Sequence, residues 1–251
     1  MIVIKFGGHA MDDDPAWMRE IATRWSAGEK FVVVHGGGPQ IDRQLQVEGI
    51  VSEFVNGFRI TTGEVMKVVE SVLTGTVLRS VVRSLSKAGL PAVGITGSDA
   101  GLLEVSVKDE GALGLVGKVD AVNPKILVSL IDAGFLPVVA PVSNGADGVA
   151  LNVNADLAAG AIAGALRAKE ALFMTDVPGI YRNWPDQSSL IDEISIAKLG
   201  DISFEGGMVP KVAAVINAIK SGARSARVID GKSLLAFQGA LQGKGGTWVR
   251  A

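Results

Sequence analysis

The stretch IVIKFGGHAM, residues 2 to 11, places a lysine near the end of an apolar run and two glycines directly after it. A short apolar run that ends in glycine predicts a buried strand. Burial would then remove the hydration of the Lys5 ammonium, and an anionic partner or ligand would have to compensate for that loss. The alternative is a lysine on an edge strand that reaches out to solvent. The glycines after the strand would let a bound group approach the backbone closely, because no Cβ stands in the way.

Similar runs rich in Val and Ile recur along the chain, with helical patterns between them. They are FVVVH at 31 to 35, AVGITG at 92 to 97, LPVVAP at 136 to 141, ALFMTD at 171 to 176 and ARVID at 226 to 230. Continuous apolar strands that alternate with helices indicate a parallel sheet covered on both faces. The sequence therefore predicts an α/β sandwich.

Helices and hairpins are also marked in the sequence. Asp14 is the expected N-cap of a first helix, and Gly28 lies past the end of that helix. The three-to-four spacing of apolar residues over 62 to 89 predicts one long helix. Residues 98 to 122 and 142 to 152 contain short alternating segments with Gly and Asp, which predict β-hairpins. No Pro- or Ser-rich linker divides the chain, so any two lobes are expected to share the sheet.

The composition excludes several classes of protein. With 251 residues and 48% hydrophobic content, the chain can bury the core of one large domain or of two packed lobes. A net charge of -2 argues against a nucleic-acid partner. The absence of cysteine excludes disulfides, thiolate metal sites and a cysteine nucleophile, and it favours the cytoplasm. The longest weakly polar stretch, Leu157 to Leu166, is shorter than the roughly 20 residues that a membrane-spanning helix needs.

Glycine is unusually frequent, with 32 residues, or about 13% against roughly 7% in average proteins. Three segments at strand ends, residues 5 to 8, 35 to 38 and 176 to 179, run from an ionisable residue to glycine. In a parallel sheet such ends line one edge, where helix N-termini and bare backbone bind anions, although the glycines could also serve tight turns alone. The fingerprints G-x-x-x-x-G-K-[ST] and G-x-G-x-x-G are both missing, so a nucleotide would need a different cradle.

Two further charged residues fit an anion site. Asp156, in LNVNADLAAGA, falls in the opening turn of an apolar helix, and Lys211 falls in the first turn of the helix PKVAAVINAIKSG. Helix capping by Asn154 or Asp156, and a solvated lysine, are the plain alternatives. An acid that held Lys5 and Lys211 would keep both charged and aimed at one point. Phosphoryl transfer needs that arrangement, because its transition state depends on alignment and charge neutralisation.

The remaining polar residues suggest other roles. Arg59, in VNGFRITT after a predicted hairpin, suits bidentate binding of a carboxylate, with a surface arginine as the alternative. His9 and His35 are expected to be turn residues tied to the backbone rather than catalytic bases. The acids from Asp12 to Asp14 lack the spacing of a metal cage, so we expect no protein metal site and any Mg²⁺ to arrive with nucleotide phosphates.

The sequence contains seven motifs in a fixed order: KFGGHAM, HGGGPQID, NGFRIT, GLVGKV, LNVNAD, TDVPGIY and GGMVPKV. In this order and at these intervals they resemble the acetylglutamate kinase branch of the amino-acid kinase family, from Ile2 to about Arg250. The resemblance implies a three-layer αβα sandwich with a central, mainly parallel sheet, the amino-acid kinase fold. It also implies an N-terminal lobe, residues 1–170, that binds the acyl amino acid and forms a homodimer, and a C-terminal lobe, residues 171–251, that binds ATP.

The resemblance also implies roles for individual residues. Lys5 and Lys211 correspond to the two transition-state lysines, and Asp156 to the acid that orients them. Backbone N–H groups of Gly8 and Gly37 correspond to donors for the moving phosphoryl group. The residues implied for the acylated glutamate are Gly36, Gly37, Arg59 and Asn152, with Arg59 on the α-carboxylate. The residues implied for ATP are Asp176, Val177, Gly179, Tyr181, Gly207 and Met208.

The implied reaction is in-line attack by the γ-carboxylate of N-acetyl-L-glutamate on the γ-phosphate of MgATP. It gives N-acetyl-L-glutamyl 5-phosphate and ADP, the second step of arginine (ornithine) biosynthesis. No base is needed, because a carboxylate with a reference pKa of about 4.3 is already ionised at neutral pH. A kinase of carrier-linked or N-acetylated aminoadipate in lysine biosynthesis is the alternative, but the region after NGFRI is not notably basic, as an acidic carrier would require.

Two hypotheses outside this class are a catalytically silent nucleotide or amino-acid sensor, against which Lys5, Asp156 and Lys211 argue, and a dinucleotide-binding oxidoreductase. The chain starts almost at its first strand, without the extra N-terminal helix that accompanies arginine-inhibited hexamers in the family. We therefore expect a dimer that is insensitive to arginine. His9 stands where a small or amide residue is more typical of the family.

Overall fold

The structure is a computed structural model that describes residues 1–7 and 16–251. The predicted N-cap Asp14 and the expectations for Gly8 and His9 concern residues outside this range. Within it, a mainly parallel sheet of eight strands runs through the molecule. In sheet order its strands are β12 (Glu193–Ser195), β14 (Thr247–Arg250), β13 (Ser225–Asp230), β11 (Glu170–Thr175), β1 (Ile2–Phe6), β2 (Phe31–His35), β8 (Leu136–Ala140) and β5 (Ala92–Thr96). Among these strands, only β13 and β14 pair antiparallel to each other.

Helices cover both faces of this sheet. One face carries α1 (Ala16–Ser26), α2 (Gly38–Glu48), α3 (Gly63–Glu70), α4 (Leu78–Lys87) and α9 (Leu234–Leu241). The other carries α5 (Lys125–Asp132), α6 (Ala155–Ala165), α7 (Ile196–Gly200) and α8 (Met208–Lys220). The predicted three-layer αβα sandwich is confirmed. In the part of the chain that the structure describes, none of the helices combines the length and the apolar character that a membrane span requires.

Strand β1 determines which helical layer Lys5 meets. Successive side chains of a strand point to opposite faces of the sheet. Ile2, Ile4 and Phe6 pack into the core beneath α1, α3 and α4. Val3 packs on the other side, with residues of α6 and α8. Lys5 shares the face of Val3, so the alternation of the strand directs its side chain towards α6 and α8.

The predicted hairpins form a second, smaller sheet. Its strands, in order, are β6 (Leu103–Val107), β7 (Val116–Val122), β10 (Ala150–Val153) and β9 (Val142–Asn144). Strand β6 pairs antiparallel with β7, and β9 with β10, which confirms both predicted hairpins. A short hairpin of β3 (Phe54–Val55) and β4 (Phe58–Arg59) follows α2 along the chain, so Arg59 lies in the second strand of the predicted hairpin rather than after it.

The long helix predicted over residues 62 to 89 is helical but not uniform. A wide π-helical turn at Ser71–Val77 joins α3 to α4, and the chain turns away at Gly89, where φ is +86°. That left-handed conformation suits glycine, which has no Cβ. The π turn also carries Leu73, which lies so close to Gly37 that a Cβ there would stand 2.6 Å from the leucine Cδ2. The π turn therefore packs a leucine directly onto the strand-end glycines.

The predicted lobe boundary at residue 170 falls inside the large sheet. Strands β1, β2, β5 and β8 come before the boundary, and β11 to β14 begin at or after it. Strands β1 and β11 pair across the boundary, from Ile2 opposite Glu170 to Lys5 opposite Phe173. The two halves share one sheet, as predicted, whereas their division into functional lobes stays a prediction.

Helices α6 and α8 lie in close backbone contact because α6 is built of small residues. A Cβ on Gly160 would stand 2.5 Å from the carbonyl oxygen of Ala214. One on Gly164 would stand 3.2 Å from the carbonyl oxygen of Ala218. Larger side chains at these positions would hold the helices further apart. The two glycines therefore set the distance between the axes of α6, which carries Asp156, and α8, which carries Lys211.

We predict that Gly160→Ala destabilises the protein by about 1–3 kcal/mol, because the added methyl group meets backbone that cannot rotate away. Gly200→Ala, at the end of α7, adds a methyl group with no atom within 4 Å and should change stability by less than about 0.5 kcal/mol. Urea unfolding followed by circular dichroism measures both variants against the wild type. Equal unfolding midpoints for the two variants would contradict the close contact.

Candidate active site

The carboxyl ends of β11, β1 and β2 lie side by side at one edge of the sheet, because β1 pairs in parallel with both neighbours. The three strand ends that lead to glycine therefore share an edge, as predicted. Helix α2 begins at Gly38, just after the end of β2 at His35. Its unpaired N–H groups and the positive end of its dipole favour an anion at this edge.

At this edge one buried carboxylate contacts two ammonium groups. Lys5 Nζ lies 2.9 Å from Asp156 Oδ1, and Lys211 Nζ donates a hydrogen bond of 3.0 Å to Oδ2. Lys5 and Asp156 are only 6% and 5% exposed. The cap of α6 is Asn154, whose side chain accepts hydrogen bonds from the N–H groups of Asp156 and Leu157. The Asp156 carboxylate is therefore not used for capping and holds both lysines.

With all three groups ionised, this cluster carries one net positive charge. Burial lowers the pKa of Lys5, and the charge of Asp156 opposes that shift. Burial alone would raise the pKa of Asp156, but Lys5 and Lys211 outweigh it and hold that pKa below its usual range. Each ammonium group has three N–H donors, and its ion pair with Asp156 engages one oxygen of that carboxylate. The surplus charge and these donors suit an incoming anion.

A cavity of about 160 Å³ opens beside Lys5 and Asp156. Its lining includes all four residues that the family resemblance implied for the acylated glutamate, which are Gly36, Gly37, Arg59 and Asn152. Phe54, Phe58 and Leu73 supply apolar walls. The cavity thus offers a guanidinium, an amide, bare backbone and apolar surface to one small ligand.

Arg59 is fixed in this cavity by neighbouring groups. Its Nη1 lies 2.7 Å from Asp42 Oδ1 and donates to Ser52 Oγ at 3.1 Å, and its Cζ stands 4.5 Å from the centre of the Phe54 ring. The Arg59 side chain is 5% exposed, whereas that of Asp42 is 57% exposed. Asp42 was not predicted from the sequence, although an acid about one helical turn after the glycines of HGGGPQID was a visible signal.

Asn152 and Arg59 are linked through Thr61. Asn152 Nδ2 donates to Thr61 Oγ1 at 3.0 Å, and Thr61 Oγ1 donates to the carbonyl oxygen of Arg59 at 2.8 Å. Thr61 is fully buried, so it acts on a ligand only by orienting these two residues. No role for Thr61 could be predicted from the sequence, because its partner Asn152 is distant along the chain.

A second cavity, of about 690 Å³, is bordered by Lys211. Five of the six residues that the resemblance implied for ATP line it, namely Asp176, Val177, Tyr181, Gly207 and Met208. Gly179 is outside the lining, and a Cβ on it would stand 2.5 Å from Thr247 Oγ1, so this glycine packs against β14. Trp184 and Phe204 border the cavity and were not predicted. Because Asp156 lines the first cavity, the Lys211–Asp156 ion pair stands where the two cavities meet.

His35 is tied to the backbone, as predicted, but it is the last residue of β2 rather than a turn residue. Its Nδ1 lies 2.8 Å from the carbonyl oxygen of Gly36, and since a carbonyl only accepts, Nδ1 carries the proton. Burial lowers the pKa of His35 to about 4, so the ring is neutral at pH 7. Within residues 1–7 and 16–251, no group of three or more His, Cys, Asp or Glu side chains could hold a metal ion. The acids from Asp12 to Asp14 lie outside that range.

The fold and the site together define a class of protein. A parallel sheet carries two cavities at its carboxyl edge, and two lysines bridged by an acid stand where the cavities meet. This is the arrangement of an α/β phosphotransferase, which brings two ligands to one cationic point.

Comparison with known proteins identifies the family. The sequence profile of the amino acid kinase family matches residues 1–230, and the chain belongs to this family, as the seven motifs predicted. The acetylglutamate kinase of Prochlorococcus marinus (strain NATL1A) is 44% identical over 239 residues, which covers 92% of this chain and 79% of that protein. The acetylglutamate kinase of Rhodococcus jostii (strain RHA1) is 45% identical over 243 residues, again with 92% and 79% coverage. A crystal structure from Streptococcus mutans UA159 matches with a TM-score of 0.85 at 25% identity, covering 100% of this chain and 98% of that one.

We predict that Asp156→Asn destabilises the fold by about 3–5 kcal/mol at neutral pH, because it leaves the buried Lys5 without its counter-charge. The pKa of Lys5 should then fall further, since Asp156 is the charge that raises it. A lysine whose folded pKa is lowered destabilises the fold below that pKa, and the penalty disappears as the pH rises to the unfolded pKa. The deficit relative to the wild type should therefore shrink between neutral pH and about pH 10, as measured by urea unfolding.

Glu193→Gln is the matched control for this variant, because it removes an exposed carboxylate that lies 2.6 Å from Arg250 Nε. Its cost should stay below about 1 kcal/mol at every pH in the series. A deficit for Asp156→Asn that did not change with pH would contradict the assignment of the cost to a charged, unpaired Lys5.

Proposed function

We propose that this chain is an acetylglutamate kinase, which transfers the γ-phosphoryl group of ATP to the γ-carboxylate of N-acetyl-L-glutamate in arginine biosynthesis. The observation that carries the proposal is the convergence of Lys5 and Lys211 on Asp156 at the junction of two cavities. The relatives named acetylglutamate kinase, at about 44% identity over most of the chain, support the choice of substrate. No observation favours an aminoadipate substrate instead.

The first cavity would hold the acyl amino acid. Asp42 and Ser52 both engage Nη1 of Arg59, and Nη2 donates a long hydrogen bond of 3.5 Å to the carbonyl oxygen of Gly38. The Nε N–H and the second N–H of Nη2 would bind the α-carboxylate of the substrate. Asn152, oriented by Thr61, and the backbone of Gly36 and Gly37 would hold the remaining polar groups. The γ-carboxylate would then point towards Lys5, which lines the same cavity.

The second cavity would hold ATP, with its phosphates directed to Lys211. Its volume falls within the range of about 300–1,000 Å³ that is usual for ligand pockets. Because the described residues offer no metal cage of their own, Mg²⁺ would enter on the phosphates, where it neutralises charge. Asp176 lines this cavity and is a carboxylate that could contact the ion.

The chain's own contribution to the transfer would be alignment and charge neutralisation. Lys5 and Lys211 would bind the oxygens of the moving phosphoryl group from the two sides of the junction, and the backbone N–H groups of Gly8 and Gly37 would add donors. Asp156 would stay ionised and position the lysines, because their charges keep its pKa low. The attacking carboxylate is already ionised, so the neutral His35 is not needed as a base.

The proposal also includes features of the whole protein. The family resemblance supports a homodimer formed through residues 1–170 and the use of ATP with Mg²⁺. The absence of cysteine supports a cytoplasmic location. Residues 1–170 would bind the acyl amino acid and residues 171–251 the nucleotide.

Release of ADP with four acceptors tests the substrate assignment. We expect turnover with N-acetylglutamate and little with glutamate or aspartate, because the cavity's acid, Asp156, is paired with two lysines and is not available to a free α-ammonium group. We also expect little with N-acetylaminoadipate, because its extra methylene shifts the reacting carboxylate relative to Lys5. Trapping the acyl phosphate with hydroxylamine shows that a carboxylate was the acceptor. Turnover of free glutamate without turnover of its acetylated form would overturn the assignment.

We further predict that Lys5→Met and Lys211→Met each lower kcat by about 100-fold or more, because each removes a charge that binds the transition state. The KM for N-acetylglutamate should change much less, since neither lysine is assigned to its α-carboxylate. Lys220→Met, at the exposed end of α8, is the control and should keep wild-type kinetics. Undiminished kcat in both site variants would refute the mechanism.

A further inference from the structure

Trp184 is a large aromatic side chain that the structure leaves open to solvent. It is 65% exposed and borders the second cavity. Its ring meets that of Tyr181 at 69°, with 5.1 Å between the centroids, and Tyr181 is itself only 7% exposed. A buried neighbour thus holds the indole in place from one side while most of its surface stays free.

The other tryptophans differ from Trp184 in their surroundings. Trp25 contacts the ammonium of Lys30, and Trp248 contacts the guanidinium groups of Arg227 and Arg250. Of the four tryptophans, all of them in the described part of the chain, only Trp184 borders this cavity. Its exposure therefore coincides with a place where a ligand could cover it.

The lining of the cavity changes in chemical character from one part to another. Lys211 is ion-paired to Asp156 at the edge of the sheet and offers a positive charge. Tyr181, Trp184 and Phe204 offer flat apolar surface instead. A nucleotide has the same division, with a polyanionic chain at one end and a planar base at the other. If the phosphates lie at Lys211, the base falls among the aromatic rings.

We propose that Trp184 is the stacking surface for the nucleobase of the bound nucleotide. The inference rests on the proposed function in one respect, namely that a nucleotide occupies the second cavity. Stacking on an aromatic ring tolerates any base, because every base has a π face. Trp184 would therefore add affinity for adenine and guanine nucleotides alike, and hydrogen bonds elsewhere would choose between them.

Calorimetric titration of the full chain with three probes tests this role. The probes are MgADP, MgGDP and magnesium tripolyphosphate, which carries the charge without the base. Trp184→Ala should weaken MgADP about 10-fold and MgGDP, where it binds, by a similar factor, and should leave tripolyphosphate unchanged. Trp184→Phe should retain most of the affinity, since it keeps an aromatic face.

Two results would overturn the proposal alone, provided that the wild type binds MgADP. One is equal binding of MgADP by the wild type and Trp184→Ala. The other is an equal loss for all three probes, which would mean that Trp184 only supports the loop that contains it. A wild type that did not bind MgADP would overturn the proposed function together with this inference, so the two failures are distinguishable.

Fluorescence supplies a second readout that does not depend on activity. Saturation with MgADP should quench part of the tryptophan emission of the wild type. The quenching should be absent in Trp184→Phe, although calorimetry shows that this variant still binds. Quenching that persisted unchanged in Trp184→Phe would place the base away from residue 184 and contradict the proposal.

Discussion

The buried carboxylate of Asp156 is the contact on which the rest of the site depends. Lys5 and Lys211 come from distant parts of the chain, and without a shared counter-charge their ammonium groups would repel each other across a weakly polarisable interior. The same carboxylate compensates for the lost hydration of Lys5. Both the stability of the fold and the proposed chemistry therefore require an ionised carboxylate at position 156. The alternation of β1 directs Lys5 towards this carboxylate, and the close backbone contact of α6 with α8 brings Lys211 near it.

Much of the fold could be predicted from the sequence, because the physical signals are local. A strand buried on both faces must be apolar throughout, and a hairpin open on one side alternates, so the two kinds of strand could be told apart. Parallel strands have only one carboxyl edge, which is why three separate strand ends could be predicted to meet. The seven motifs carried the family, and with it residues such as Asn152 whose own surroundings give little hint of a role.

What could not be predicted depends on contacts between distant residues or on small differences in helical pitch. Over the seven residues from Ser71 to Val77, apolar spacing does not distinguish a π turn from an α-helix. Thr61 gains its role only from Asn152, and Asp42 only from Arg59. Gly179 matches a ligand-binding motif, yet its nearest neighbour is Thr247, near the end of the chain. A motif predicts that a glycine is needed at a position, but it does not show whether the cause is the approach of a ligand or close packing within the protein.

The sheet shared by the two halves of the chain limits how the site can open and close. Strands β1 and β11 come from the two halves of the chain and are joined by a ladder of backbone hydrogen bonds. A hinge between the halves would have to break these hydrogen bonds in the middle of the core. Any movement that admits ligands while this ladder stays paired has to come from a twist of the whole sheet or from the segments above its carboxyl edge. The paired sheet therefore holds the two halves of the chain together, and the movements of a catalytic cycle leave the ladder between β1 and β11 unbroken.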